Sequence, residues 1–102
     1  AYVKPHGALY NRAAADPAAA QAVGRAVRAV DPALTVLLLS GSAGARALTE
    51  MGLRVAAEVF ADRAVQPDGH LVPRDRPGAV IRDPAAVVAR VRDMLRMGTV
   101  TA

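Results

Sequence analysis

The feature that most constrains the fold is a short apolar run, Thr35–Leu39, in which polar and apolar residues do not alternate. Such a run is typical of a strand buried on both faces, as in a parallel sheet covered by helices. Residues 2–4 and 54–59 are also predicted to be strands. Helical patterns separate the three segments, and this alternation favours parallel strands joined by right-handed crossovers.

Two helix starts carry the same signal, an aspartate followed directly by a proline. Asp16 with Pro17 predicts a helix to about Val30, and Asp83 with Pro84 predicts one that Gly98 closes. A third helix is expected to follow the SGSAG turn, residues 40–44, and to stop near Gly52. Residues 6–15 are expected to form a loop.

Length and composition set further limits. A single domain typically has about 100–200 residues, so 102 residues exclude two independent domains. A closed (β/α) barrel usually needs about 250 residues, so three βα units would form an open segment of something longer. Because there is no cysteine, disulfides, thiolate metal sites and thiol nucleophiles are excluded.

Charge and hydropathy argue against two classes of partner. The net charge is +4, but the basic residues are spread along the chain without a basic run, which disfavours nucleic-acid binding. No apolar stretch approaches the roughly 20 residues needed to cross a bilayer, and no signal-peptide pattern is visible. The expected location is therefore cytoplasmic.

The first strand is predicted to end in a candidate catalytic pair, Lys4 and His6. Residues two apart on an extended chain face the same side, about 6.6–6.8 Å apart, so a cation and an imidazole could meet one substrate. Lys4 is the only lysine in the chain. The alternative is a solvated lysine beside a histidine bonded to a backbone carbonyl.

The SGSAG turn also has two interpretations. Its free backbone N–H groups could attract a phosphate or carboxylate, or Ser40 or Ser42 could simply cap the next helix. The turn lacks the Gly-Lys-Ser/Thr ending of a phosphate-binding loop, which favours capping.

The third strand leads into further charged residues. If the chain stays extended, Glu58, Phe60 and Asp62 share one face and Arg63 lies on the other. Asp62 and Arg63 could form an ion pair or clamp a substrate, and Arg74 could hold a carboxylate or be solvated. The two histidines are far apart and give little support for a metal site.

Three segments together resemble the LamB/YcsF family: VKPHGALYN (3–11), GLRVAAEVFADRA (52–64) and DGHLVPRDRPGAVI (68–81). The resemblance covers essentially the whole chain. It implies an α/β fold in which residues 1–102 are a fragment of about three βα units, the central part of an irregular (β/α) barrel domain of the glycoside hydrolase/deacetylase type. The N- and C-terminal strands of the barrel would lie outside this segment.

The family resemblance also implies an activity, the ATP-dependent hydrolysis of 5-oxoproline (pyroglutamate) to L-glutamate together with two other 5-oxoprolinase subunits. The lactam is a stable amide, so its oxygen would be activated by phosphorylation before water attacks. The resemblance assigns charge stabilisation to Lys4 and proton transfer to His6. The expected substrate-binding residues are Asn11, Ser40, Asp62, Arg63 and Arg74.

The resemblance has gaps. Val65 stands where the family usually has an aromatic residue, and several family motifs lie outside this chain. ATP is the expected cofactor of the whole enzyme. A divalent metal stays open for the whole enzyme, but no metal ligand is predicted in this segment. Two alternative functions stay open: a non-catalytic ligand-binding or assembly module, and a metal-dependent deacetylase-like hydrolase. The isolated 102 residues are expected to be inactive, because an open sheet exposes its strand edges.

Overall fold

A computed structural model describes residues 1–98. The chain divides into two compact units, Ala1–Glu58 and a second unit that begins at Val59. The described elements, in chain order, are β1 (Tyr2–Val3), α1 (Ala8–Ala15), α2 (Pro17–Val30), β2 (Thr35–Leu39), α3 (Ala43–Glu50), β3 (Arg54–Glu58) and α4 (Pro84–Met97). The predicted α/β class is confirmed. That residues 1–102 form one segment of a single barrel domain stays a prediction.

The first unit is built on a parallel sheet with the strand order β1-β2-β3. The central strand β2 buries Val36 and Leu38 completely, as the apolar run predicted. The third strand ends at Glu58, one residue earlier than predicted. Because all three strands run in the same direction, their carboxyl ends lie at one edge of the sheet.

Among residues 1–98, side-chain caps begin three of the four helices. Asp16 and Asp83 accept hydrogen bonds from the N–H groups of Ala18 and Ala85, at 3.0 and 3.2 Å. Both predicted helices, α2 and α4, are confirmed. The Arg12 guanidinium, 3.1 Å from the Asp16 carboxylate, and the bond from Ala18 hold the pKa of Asp16 below its usual range.

The loop expected over residues 6–15 is wrong, because Ala8–Ala15 form helix α1. The helix starts after Gly7, whose φ of 61° favours glycine and which offers no capping side chain. Its stability comes instead from tertiary packing of one face, since Tyr10, Ala13 and Ala14 are buried. A helix that lacks a side-chain cap and depends on tertiary packing has no start signal in its local sequence.

Small residues let α1 and α3 approach closely. A Cβ added at Gly44 in α3 would lie 1.9 Å from the carbonyl oxygen of Ala13 in α1. Only glycine fits at this position, and the contact fixes α1 against the helix that follows β2.

The second unit contains α4 and an irregular segment before it. This segment is held by two antiparallel bridges, Arg63 with Val80 and Val65 with Leu71. In α4, Met94 is buried, whereas Leu95 and Met97 are exposed. None of the described helices is both long and apolar enough to span a membrane.

Candidate functional site

A polar residue stands at the carboxyl end of every strand of the sheet. Lys4 follows β1, Ser40 follows β2, and Glu58 is the last residue of β3. In parallel α/β sheets this edge is where ligands bind.

Lys4 is held in place by two contacts. Its ammonium lies 2.8 Å from Oε2 of Glu58, and it stands 5.6 Å from the centre of the Tyr10 ring, within the range of a cation–π contact. The side chain of Lys4 is 37 % exposed and that of Glu58 is 17 % exposed. Lys4 is therefore neither the freely solvated lysine of the alternative interpretation nor a buried one.

Tyr10 belongs to the same cluster. Its side chain is buried, and its hydroxyl lies beside the carboxylate of Glu58. Burial first, and then the neighbouring Glu58, raises the pKa of Tyr10 well above its ordinary range. The phenol is therefore neutral at physiological pH.

His6 is exposed and sits beside the buried Pro5. Together with Lys4 it borders a cavity of about 430 Å³. The other walls are mainly apolar and come from Val3, Leu9, Val23, Val27, Val30 and Leu34. Among the described residues His6 has no hydrogen-bond partner, so its imidazole is available to a ligand at the mouth of this cavity.

Asn11 and Ser40 differ in how firmly they are placed. Asn11 is exposed on α1, next in sequence to Tyr10. Ser40 is half-buried, and its backbone N–H donates to the carbonyl oxygen of Glu58 at 2.8 Å. Ser40 therefore lies directly beside the Lys4–Glu58 pair at the end of the central strand.

The SGSAG turn serves as a helix cap. The buried hydroxyl of Ser42 accepts a hydrogen bond from the N–H of Ala45 at 3.1 Å, which confirms the capping interpretation. The guanidinium of Arg46 donates to the carbonyl of Gly41 at 2.8 Å. The turn is therefore held by hydrogen bonds to its own helix, which is the ordinary role of a cap.

Three predicted site residues lie in the second unit. Arg63 donates from Nη2 to the carbonyl of Val72 at 3.0 Å, and no ion pair with Asp62 is present in the described part of the chain. The chain turns at residues 61–62 rather than staying extended, so the alternation of faces expected for an extended chain does not continue to Arg63. Asp62 and Arg74 are both exposed.

Residues 1–98 contain no group of three or more histidine and acidic side chains that could hold a metal ion. Sequence reasoning placed Glu58 on one face of the third strand but did not predict it as a site residue. Tyr10 was not predicted as a site residue either. The available signal was the identity of Glu58 as the last residue of a strand.

Comparison with known protein families gives a match over the whole chain. Residues 1–102 match the model of the LamB/YcsF family. The chain belongs to the LamB/YcsF family. The resemblance found in the sequence motifs is thereby confirmed.

Relatives within the LamB/YcsF family carry a consistent name. The chain is 57 % identical over 101 residues to the A subunit of 5-oxoprolinase from Mycobacterium avium (strain 104), with 99 % of this chain and 40 % of that protein covered. It is 52 % identical over 100 residues to the A subunit of 5-oxoprolinase from Syntrophobacter fumaroxidans, with 98 % and 40 % covered. The chain thus spans about 40 % of the length of these curated relatives.

A solved structure shows the same fold. The crystal structure of the lactam utilization protein from Thermus thermophilus superposes with a TM-score of 0.86 at 42 % identity. The match covers 99 % of this chain and 41 % of that one. An open three-stranded parallel sheet with four helices is consistent with the predicted fragment of a (β/α) barrel.

Proposed function

We propose that this segment belongs to the A subunit of a 5-oxoprolinase, which hydrolyses 5-oxoproline to L-glutamate in a reaction coupled to ATP hydrolysis. The observation that carries the proposal is the placement of Lys4 and His6 together at the carboxyl edge of the sheet, on the border of one cavity. The shared name of the relatives supports the same reaction. Two other subunits would complete the enzyme, which would work in the cytoplasm.

The reaction requires a cationic side chain that stabilises negative charge and a side chain that transfers a proton. Water adds its oxygen to the lactam carbonyl carbon, the ring C–N bond breaks, and the nitrogen takes a proton to become the amine of glutamate. Negative charge develops on the carbonyl oxygen, and the ammonium of Lys4 would stabilise it. The exposed imidazole of His6 would move the proton from water to nitrogen, since a histidine can both accept and donate near neutral pH.

The remaining candidates would bind the substrate. Arg74 is exposed and has no hydrogen-bond partner among the described residues, so its guanidinium is available for the substrate carboxylate. One nitrogen of Arg63, Nη2, donates to the Val72 carbonyl, so other N–H groups of the guanidinium would be available to a ligand. Asn11, Ser40 and Asp62 would supply neutral or acidic hydrogen-bonding groups.

ATP enters this proposal only as a requirement of the whole enzyme. Because the Ser42 hydroxyl caps α3 and the Lys4 ammonium pairs with Glu58, neither group is given an ATP-binding role here.

The test uses the full-length protein with its partner subunits, 5-oxoproline and ATP, and measures the glutamate released. We expect Lys4→Ala and His6→Ala each to lower kcat by about 100-fold or more, in the range for loss of charge stabilisation or acid–base catalysis. Each variant has a matched control. Arg54→Ala removes an exposed cation at the opposite end of the sheet, and His70→Ala removes the other histidine.

Both controls should retain the glutamate-release rate of the unmodified enzyme. If Lys4→Ala and His6→Ala also retained it, the assigned roles would be wrong. If the unmodified enzyme released no glutamate with ATP and partners present, the proposed reaction itself would be wrong.

A further inference from the structure

The Lys4–Glu58 ion pair joins two strands that are not neighbours. Adjacent strands lie about 4.8 Å apart, so β1 and β3 are separated by roughly twice that distance with β2 between them. The pair, at 2.8 Å, therefore passes over the carboxyl end of β2 beside Ser40. This edge is where the proposed function places the substrate.

The ammonium of Lys4 has two neighbours from different elements. It donates to Oε2 of Glu58 at the end of β3, and it lies over the ring of Tyr10 in α1. Glu58 is only 17 % exposed, and it is close enough to Tyr10 to raise the pKa of the phenol. Two neighbours restrict the ammonium more than a single exposed ion pair would.

We propose that Glu58 is a positioning residue, which together with Tyr10 holds the ammonium of Lys4 at the carboxyl edge of the sheet. This inference rests on the proposed function for the role of Lys4. Glu58 acts through Lys4 and not on the substrate, because its Oε2 pairs with Lys4 and its side chain is largely shielded from solvent. A displaced ammonium would meet the developing charge poorly, and a misplacement of about 1 Å can cost about 100-fold in rate.

The first experiment is a double-mutant cycle in the full-length enzyme with its partner subunits. Glu58→Gln keeps the size of the side chain but removes the charge that binds Lys4. We expect kcat to fall about 10- to 100-fold, with KM for 5-oxoproline changed by less than about threefold. In a Lys4→Ala background the same substitution should lower kcat by no more than about twofold.

Two results would overturn the inference. A carboxylate that itself took a proton from water would lower kcat further in the Lys4→Ala background. A purely structural carboxylate would lower kcat in both backgrounds, in step with the melting temperature. Glu50→Gln, an exposed carboxylate at the end of α3, is the matched control and should leave kcat unchanged.

A second experiment probes the position of the Lys4 ammonium without measuring enzyme activity. The full-length protein is acylated briefly with an amine-reactive ester, and peptide mass spectrometry follows modification at Lys4. Glu58→Gln should raise the rate at Lys4 by about two- to fivefold, the range for loss of a partly exposed ion pair, whereas the control Glu50→Gln should leave it unchanged. An unchanged rate at Lys4 in Glu58→Gln, or an equal rise in Glu50→Gln, would overturn the inference.

This experiment also separates the two proposals. If the enzyme released no glutamate from 5-oxoproline, the proposed function would fail, while a selective rise at Lys4 would still show that Glu58 holds the ammonium. If glutamate were released but Lys4 acylation did not change in Glu58→Gln, only the positioning role would fail.

Discussion

The contact between Gly44 and Ala13 leads to a sharp prediction about stability. A Cβ at position 44 would lie 1.9 Å from the carbonyl oxygen of Ala13, about 1.5 Å short of ordinary contact at 3.4 Å. A second atom, Cδ2 of Leu38, would lie at 2.9 Å. The carbonyl oxygen of Ala13 cannot move without the rest of its helix, so Gly44→Ala must push α1 and α3 apart.

The expected cost follows from this displacement. Overpacking of a core typically costs about 1–3 kcal/mol and more when backbone must move, while replacing a helical glycine by alanine returns at most about 1 kcal/mol. We expect Gly44→Ala to lower the free energy of unfolding by about 3 kcal/mol. Urea denaturation of the full-length protein, followed by circular dichroism, would measure the change.

Gly24 in α2 is the matched control. A Cβ there would meet only side-chain ends, namely Leu48, Met51 and Leu53 at 2.9–3.0 Å. These ends can shift by the few tenths of an ångström required, so Gly24→Ala should change the free energy of unfolding by no more than about 1 kcal/mol in either direction. The reasoning would be refuted if Gly44→Ala were as well tolerated as Gly24→Ala.

Two further predictions concern Ser42 and Tyr10. Ser42→Ala should lower the free energy of unfolding by about 1 kcal/mol through loss of the α3 cap, and urea denaturation showing no loss would contradict the capping role. Burial and Glu58 raise the pKa of Tyr10 above its ordinary value of 10.0. Above pH 10.0 the phenol therefore ionises more readily in the unfolded chain than in the folded one, so the stabilisation from Tyr10 is complete below that pH and declines above it. Tyr10→Phe should remove this alkaline decline, which is no steeper than about 1.4 kcal/mol per pH unit, whereas Tyr2→Phe, at an exposed position, should not. Unfolding titrations on either side of pH 10.0 that give the same slope with and without Tyr10 would disprove this.

The elements that could be predicted are those whose signals are local. The aspartate–proline pairs at Asp16 and Asp83 place a cap and a preset φ at the helix start, and the apolar run at β2 needs no alternation because both its faces are covered. Helix α1 escaped prediction because it starts at a glycine without a cap and depends on burial of Tyr10 against other elements.

The same difference between local and long-range signals decides which residues of the candidate site could be predicted. Lys4 and His6 are close in sequence, so their shared location could be expected from the end of one strand. Glu58 is 54 residues from Lys4, and no local pattern reports a contact of that range. Arg63 could not be placed either, because the turn after Glu58 sends its guanidinium to the Val72 carbonyl.

The distance along the chain between Lys4 and Glu58 has a consequence for folding. Contacts between residues far apart in sequence form slowly, because the intervening chain must first be ordered. This pair needs both crossovers complete and both outer strands seated on β2. The ammonium would therefore reach its final place among the last events in the folding of the first unit. A nascent or misregistered chain would contain Lys4 without its ion pair to Glu58, so formation of that ion pair would report completion of the sheet.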